Sequence, residues 1–290
     1  MNDVESISAR LQQRLGSGSF ELPPFPAIAQ RVIELSSDPE SSAAAIAELV
    51  HRDPGLASEL LRYANSAAIG GRIEIVSVQH AIAHLGIQRV GELSLSTSLR
   101  SGIYAATAYA RLSKLYWRQS LATALYAKKV ARELAANVEL SFLCGLLWDV
   151  GASLVLHAIG EGSRRLPDEA TADTVADQLA RSFTTEAVAS WSLPELVRDA
   201  LMDSPDLEKR PAESDIAILA GALAGPLLEA PAPDAPQPGE AAELTESETT
   251  DALDPLATHP QVASLNLYPE QLAGLRECAE TVRTELEAMP

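Results

Sequence analysis

The sequence predicts an all-α chain made of many helices. Apolar residues recur at steps of three and four over most of its length, which is the period of one helix face. Hydrophobic residues fill 47% of the 290 positions while aromatics fill only 4%, so Ala and Leu supply most of the packing surface and favour helices over sheet. Alternating runs are short: Arg72 to Val78 is bounded by glycine and reads as a loop. No repeat of fixed period is present, and a chain of this length can bury a substantial core.

Residues 3–15 predict a short amphipathic helix with Val4, Ile7 and Leu11 on one face, ended by Gly16-Ser17-Gly18. Leu22 to Pro26, LPPFP, is extended because proline lacks an amide hydrogen and restrains the residue before it. From Ala27 the spacing of Ile28, Val32 and Leu35 predicts a helix that Asp38-Pro39 stops. Ser41 or Ser42 can cap the next, with Ile46, Leu49 and Val50 inward. Asp53-Pro54 joins a capping carboxylate to a proline at the first helical position, and Leu56, Leu60, Leu61 and Ala64 follow. Gly70-Gly71 marks a loop, and Ser77 caps a short helix closed by Gly86. Helices then run from about Ile87 to Leu99 and from Leu112 to Ala135, with Asn137 as the break.

The stretch from Leu140 to His157, LSFLCGLLWDVGASLVLH, organises the rest. Leu140, Leu143, Leu147, Val150 and Leu154 form one stripe, and Cys144, Gly145, Leu146 and Gly151 add small or apolar residues beside it. The expectation is one central helix enclosed by others, carrying a single charge, Asp149, directly after Trp148. A buried carboxylate needs a partner, which makes its surroundings the functional question. Beyond Gly160, helices are expected at 172–182, 184–191, 194–203 and 213–229. From Ala230 to about Pro260, Pro, Ala, Ser, Thr and acids dominate and Lys and Arg are missing, the composition of a flexible linker. After Pro269, the stripe Leu272, Leu275, Ala279, Val282 and Leu286 predicts a C-terminal helix that docks back on the domain or serves a partner.

Composition excludes some function classes. A net charge of −18 and a pI near 4.6 argue against nucleic-acid binding and against an anionic membrane surface. Two distant cysteines, Cys144 and Cys278, are no disulfide framework and suit a reducing cytoplasm. The N-terminus lacks the apolar run of a signal peptide, and no stretch is expected to reach the roughly 20 apolar residues that span a bilayer. His80 and His84 share a helix face but have no third ligand at a telling offset, so they read as solvent-facing. Ser94, Ser96 and Ser98 lack a nucleophile turn, and no phosphate-binding glycine loop is present.

Five segments in order, LPPFPAIAQRVIEL, DPGLASELLRYANSA, SVQHAIAHLGIQRV, YWRQSLATALYAKKVA and FLCGLLWDVGASLV, together resemble the HDOD domain family over roughly Leu22 to Leu228. That family is an all-helical relative of the HD metal-dependent phosphohydrolases, whose metal is held by an early His, an adjacent His-Asp pair and a later Asp. The resemblance places those positions at Gln119, at Trp148-Asp149 and at Gly221. A further His, upstream of the motif matched by Trp191-Ser192-Leu193-Pro194, falls near Ala180. Only Asp149 survives, and a carboxylate without imidazole partners is a poor site for a transition metal.

The resemblance therefore implies an HD-superfamily-like domain at 21–229, preceded by an N-terminal helix and linker at 1–20. An acidic linker at 230–260 and a C-terminal helix at 261–290 would follow it. It implies a non-catalytic bacterial signalling module with no metal and no cofactor, acting on signalling proteins in trans. Residual phosphohydrolase activity on a nucleotide or cyclic dinucleotide is the alternative reading. A small-ligand sensor is another, using a remnant pocket bounded by Trp117, Arg118, Gln119, Trp148 and Asp149. Asp149 itself is expected to be a structural carboxylate bonded to a nearby amide or to Arg118.

Overall fold

A computed structural model describes residues 3–37, 43–69, 74–105, 108–162, 166–202, 211–229, 256 and 258–289. The predicted signals at Asp38-Pro39, Ser41, Ser42 and Gly70-Gly71, and nearly all of the acidic stretch, lie outside those residues. Every regular element among the described residues is a helix.

The first, α1 (Asp3–Gly16), lays buried Leu11 against the core and packs on α10 (Glu169–Ser190), where the Ser8 hydroxyl meets Oε1 of Gln178 at 3.0 Å. The extended LPPFP segment then leads into α2 (Ala27–Ser37) and α3 (Ala43–His51). Asp53 caps α4 (Pro54–Ala64), accepting from the Leu56 amide at 3.0 Å. Ser77 likewise caps α5 (Val78–Leu85), which Gly86 closes before α6 (Ile87–Gly102). These caps satisfy amides that the first turn of a helix leaves without intrahelical partners. Ser94, Ser96 and Ser98 of α6 are buried, and each hydroxyl donates to the carbonyl four residues back at 2.7 to 2.8 Å, so none is poised as a nucleophile.

At the centre is α7 (Ala110–Glu133), which packs against α8 (Val138–Leu147) and α12 (Ala212–Glu229). The remaining helices of the body are α9 (Val150–Gly162), paired with α10, and the short α11 (Glu195–Leu201). An ion network ties α6, α7 and the end of the chain together. Lys128 meets Glu92 at 2.6 Å, while Arg89 reaches Glu92 at 3.2 Å and Glu285 at 2.9 Å.

The structure corrects the expected elements in four places. The central stretch is two helices, α8 and α9, with a turn at Trp148-Asp149, where the Ala152 amide makes a tight bond to the Asp149 carbonyl at 3.2 Å. Conversely, the helices expected at 172–182 and 184–191 are one, α10. Within that continuous helix Thr185 donates to the Arg181 carbonyl and Thr184 accepts from the Gly151 amide, both at 3.0 Å. The expected C-terminal helix is three: α13 (Pro260–Ser264), α14 (Pro269–Glu277) and α15 (Ala279–Ala288). Its stripe does face inward, with Leu272, Leu275, Val282 and Leu286 buried and α14 and α15 packed on α7. Finally, Val138–Glu161 is long and apolar enough to cross a membrane by length and composition, contrary to expectation. Most of that stretch is buried within the protein, as a core segment is.

Glycine makes the closest helix contacts possible. A Cβ on Gly145 would lie 2.8 Å from the Ala124 Cα of α7. A Cβ on Gly151 would overlap the Ala180 carbonyl of α10. Both glycines thus let backbones approach where no side chain fits.

Candidate functional site around Asp149

The turn between α8 and α9 delivers Trp148 and Asp149 to the middle of α10. That helix presents Asp173, Asp177 and Arg181 at steps of four, on one face. The Arg181 guanidinium lies 4.1 Å from the centroid of the Trp148 ring and donates to the Leu201 carbonyl at 2.7 Å. From α7, the Tyr116 hydroxyl donates to Asp173 at 2.6 Å. From the end of α6, the buried Tyr104 hydroxyl sits 2.7 Å from Ser120 Oγ and 3.2 Å from the Leu146 carbonyl.

Electrostatics follow from this arrangement. Burial pushes the Asp149 carboxyl up to about 6, the negative charge of Asp177 adds to the rise, and Arg181 opposes it. Burial likewise raises the Tyr104 hydroxyl, with Asp149 acting in the same direction. For Tyr116 burial comes first and the hydrogen bond to Asp173 second.

The sequence-predicted pocket is not gathered into one concavity. Trp148 and Asp149 face α10. Trp117 and Arg118 line a different cavity, between α4, α6, α7 and α15. Tyr104 joins the two regions, since its ring meets Trp117 edge-on at 5.3 Å while its hydroxyl lies under the field of Asp149. Gln119 is half-buried one turn beyond Tyr116 on α7. The cation acting on Asp149 is Arg181, in place of the expected Arg118. Sequence reading missed Asp173, Asp177 and Arg181. Their regular spacing was a usable signal, but nothing in the sequence linked that face to Asp149.

The residues present do not fit a transition metal. Among the described residues, no group of three or more His, Cys, Asp and Glu stands where an ion could be held. Carboxylates flanked by a guanidinium lack the imidazole donors such ions favour. Ala180 lies at the glycine contact beside Asp149, whereas a Cβ on Gly221 in α12 would meet nothing within 4 Å. Four of the five histidines are engaged elsewhere or exposed: His157 bonds the Ile103 carbonyl at 3.0 Å, His84 the Ile69 carbonyl at 3.2 Å and His51 the Gln79 side-chain amide at 2.9 Å, while His80 faces solvent. The fifth, His259, precedes α13, and its buried Nδ1 has no hydrogen-bond partner among the described residues. The WSLP motif is structural, for buried Trp191 donates to the Pro23 carbonyl at 3.0 Å and its ring lies 5.1 Å from Phe25.

Fold and site together define an all-helical domain whose carboxylates around Asp149 have a guanidinium, and no imidazole, for company. Residues 22–205 match the HDOD domain, and the chain belongs to that family. Among solved structures it is similar to an HDOD domain protein of unknown function from Geobacter sulfurreducens. That likeness has 21% identity and a TM-score of 0.66, covering 98% of each chain. A candidate metal-dependent phosphohydrolase from Shewanella amazonensis is similar at 16% identity and TM-score 0.68, over 99% of this chain and 100% of that one. A candidate signal transduction protein from Marinobacter aquaeolei shares 19% identity at TM-score 0.60, over 99% of this chain and 66% of that one. These likenesses show the fold. An uncharacterized protein of Treponema pallidum is 23% identical over 224 residues, which is 73% of this chain. The chain spans 43% of the length of that curated relative.

Proposed function

We propose that this HDOD domain is a non-catalytic signal-transduction module of a bacterial cytoplasm, acting through contacts with signalling proteins in trans. The observation that carries the reading is the company of Asp149. An HD phosphohydrolase needs imidazoles and carboxylates converging on a metal that activates water. Here the turn residue before Asp149 is Trp148, and its ring is covered by the Arg181 guanidinium. A fixed cation beside the surviving carboxylate competes with a metal for that charge, and Gln119 and Ala180 restore none of the lost donors. The name of the Marinobacter aquaeolei neighbour agrees with a signalling role. The net charge of −18 supports a protein partner over nucleic acid.

The test pairs turnover with capture. Purified protein incubated with manganese and cyclic dinucleotides is expected to hydrolyse none of them. The same protein is expected to retain a reproducible partner from native extract. Hydrolysis that disappears in Asp149→Asn would overturn the reading.

A further inference from the structure

Away from Asp149, cations from three helices converge on one cavity of about 930 Å³. Arg62 comes from α4, Arg100 from α6, and Lys114 and Arg118 from successive turns of α7. Two acids share the lining, Glu59 and Glu287. Glu59 is engaged by Arg62 at 2.7 Å, and Arg62 also donates to the Ala288 carbonyl at 3.4 Å. Among the described residues, Arg100, Lys114 and Arg118 make no ion pair.

This clustering calls for an explanation. Lys114 and Arg118 are one turn apart on a helix, a like-charge spacing that is unfavourable by itself. The chain carries 40 acids against 22 Lys and Arg, so carboxylates are plentiful, yet among the described residues none pairs with these three cations. A concave wall concentrates their field. The volume falls within the roughly 300–1,000 Å³ of small-molecule sites. Hydroxyls complete the lining: Thr97 Oγ1 is buried with no hydrogen-bond partner in the structure, and Ser101 lies beside it on the next turn of α6. Trp117 and Tyr104 supply an apolar wall.

We infer that this cavity binds a small phosphorylated ligand carrying at least two negative charges. Arg100, Lys114 and Arg118 hold the phosphates, the two guanidiniums by paired N–H donors and the ammonium as a point charge. Glu287, on the α15 side, opposes the ligand and limits its affinity.

Calorimetric titration of the full chain with inorganic pyrophosphate and with ATP tests the inference, with adenosine as the uncharged control. Saturable binding of at least one anion is expected, weakening with added salt, and adenosine alone is not expected to bind. The double variant Arg100→Gln/Arg118→Gln is expected to lose affinity at least about tenfold, or ~1.4 kcal/mol. Glu287→Gln is expected to bind more tightly. Should the double variant melt early, Lys114→Gln, which alters an exposed side chain, must still weaken binding. Equal affinity for pyrophosphate and ATP supports recognition of phosphate alone, and tighter ATP binding adds a contact from the base. No saturable binding of either anion, or affinity unchanged in these variants, overturns the inference.

Discussion

The Arg181 guanidinium lies 4.1 Å from the centroid of the Trp148 ring, and the same cation opposes the rise that burial and Asp177 impose on Asp149. A cation on an aromatic face is attracted by the ring quadrupole, by about 0.5–2 kcal/mol depending on how far it is desolvated. Here it also anchors α10 to the end of α11 through the Leu201 carbonyl. Trp148, the residue before Asp149, is thus part of a packed cation–aromatic contact.

Asp149 makes stability depend on pH. Its folded value of about 6 lies above the ordinary value of 3.8 because burial disfavours the charged form. Below the unfolded value both states hold the proton and nothing changes. As pH rises from about 4 through 6 the unfolded chain releases its proton first, so stability falls and then levels off. Asp149→Asn removes the effect. In urea unfolding at several pH values, the variant should match the parent near pH 4 and exceed it by about 1–3 kcal/mol above pH 7, since each tenfold difference in proton affinity between the folded and unfolded chain is worth ~1.4 kcal/mol.

Gly151 sits where α9 and α10 touch. Gly151→Ala would drive a methyl group into the Ala180 carbonyl and strain the hydrogen bond from its amide to Thr184 at 3.0 Å. A loss of about 1–3 kcal/mol or more in chemical denaturation is expected, as for other overpacked sites. An unchanged midpoint would show that the two helices separate easily.

The buried Glu92–Lys128 pair should respond differently to single and double changes. Burial lowers the Lys128 ammonium and the Glu92 carboxylate opposes this. Lys128→Met alone leaves Glu92 with Arg89 as its remaining cation and should cost on the order of 3 kcal/mol. Replacing both residues with apolar ones of similar size should recover much of that loss. A double-mutant cycle in urea reads the coupling directly.

Leu275, 1% exposed, tests whether the C-terminal helices share the fold of the body. If α14 and α15 unfold with α7, Leu275→Ala should lower the single cooperative transition by about 2–5 kcal/mol. If they unfold separately, a distinct early transition should move instead while the main one stays.

Local chemistry was legible throughout. Asp53 and Ser77 cap the helices their positions suggested, because a capping side chain needs only an amide two or three residues ahead, and Asn137, read only as a break, caps α8 in the same way. The all-α class and the resemblance of Leu22 to Leu228 to the HDOD family rest on the same short-range pattern, and the family match over residues 22–205 agrees. The break at Trp148-Asp149 was not legible, since an uninterrupted apolar stripe permits either one helix or two.

The order of residues alone determined that this chain is helical, where most helices begin, and that a tryptophan rather than a histidine precedes Asp149. Tertiary structure decided which charges meet. It set Arg181, rather than Arg118, beside Asp149, and it turned Arg118 and Trp117 toward a separate cationic cavity. The reason is physical: helix periodicity is written within a few residues, whereas the field at a buried carboxylate comes from helices distant in the chain that only packing brings together.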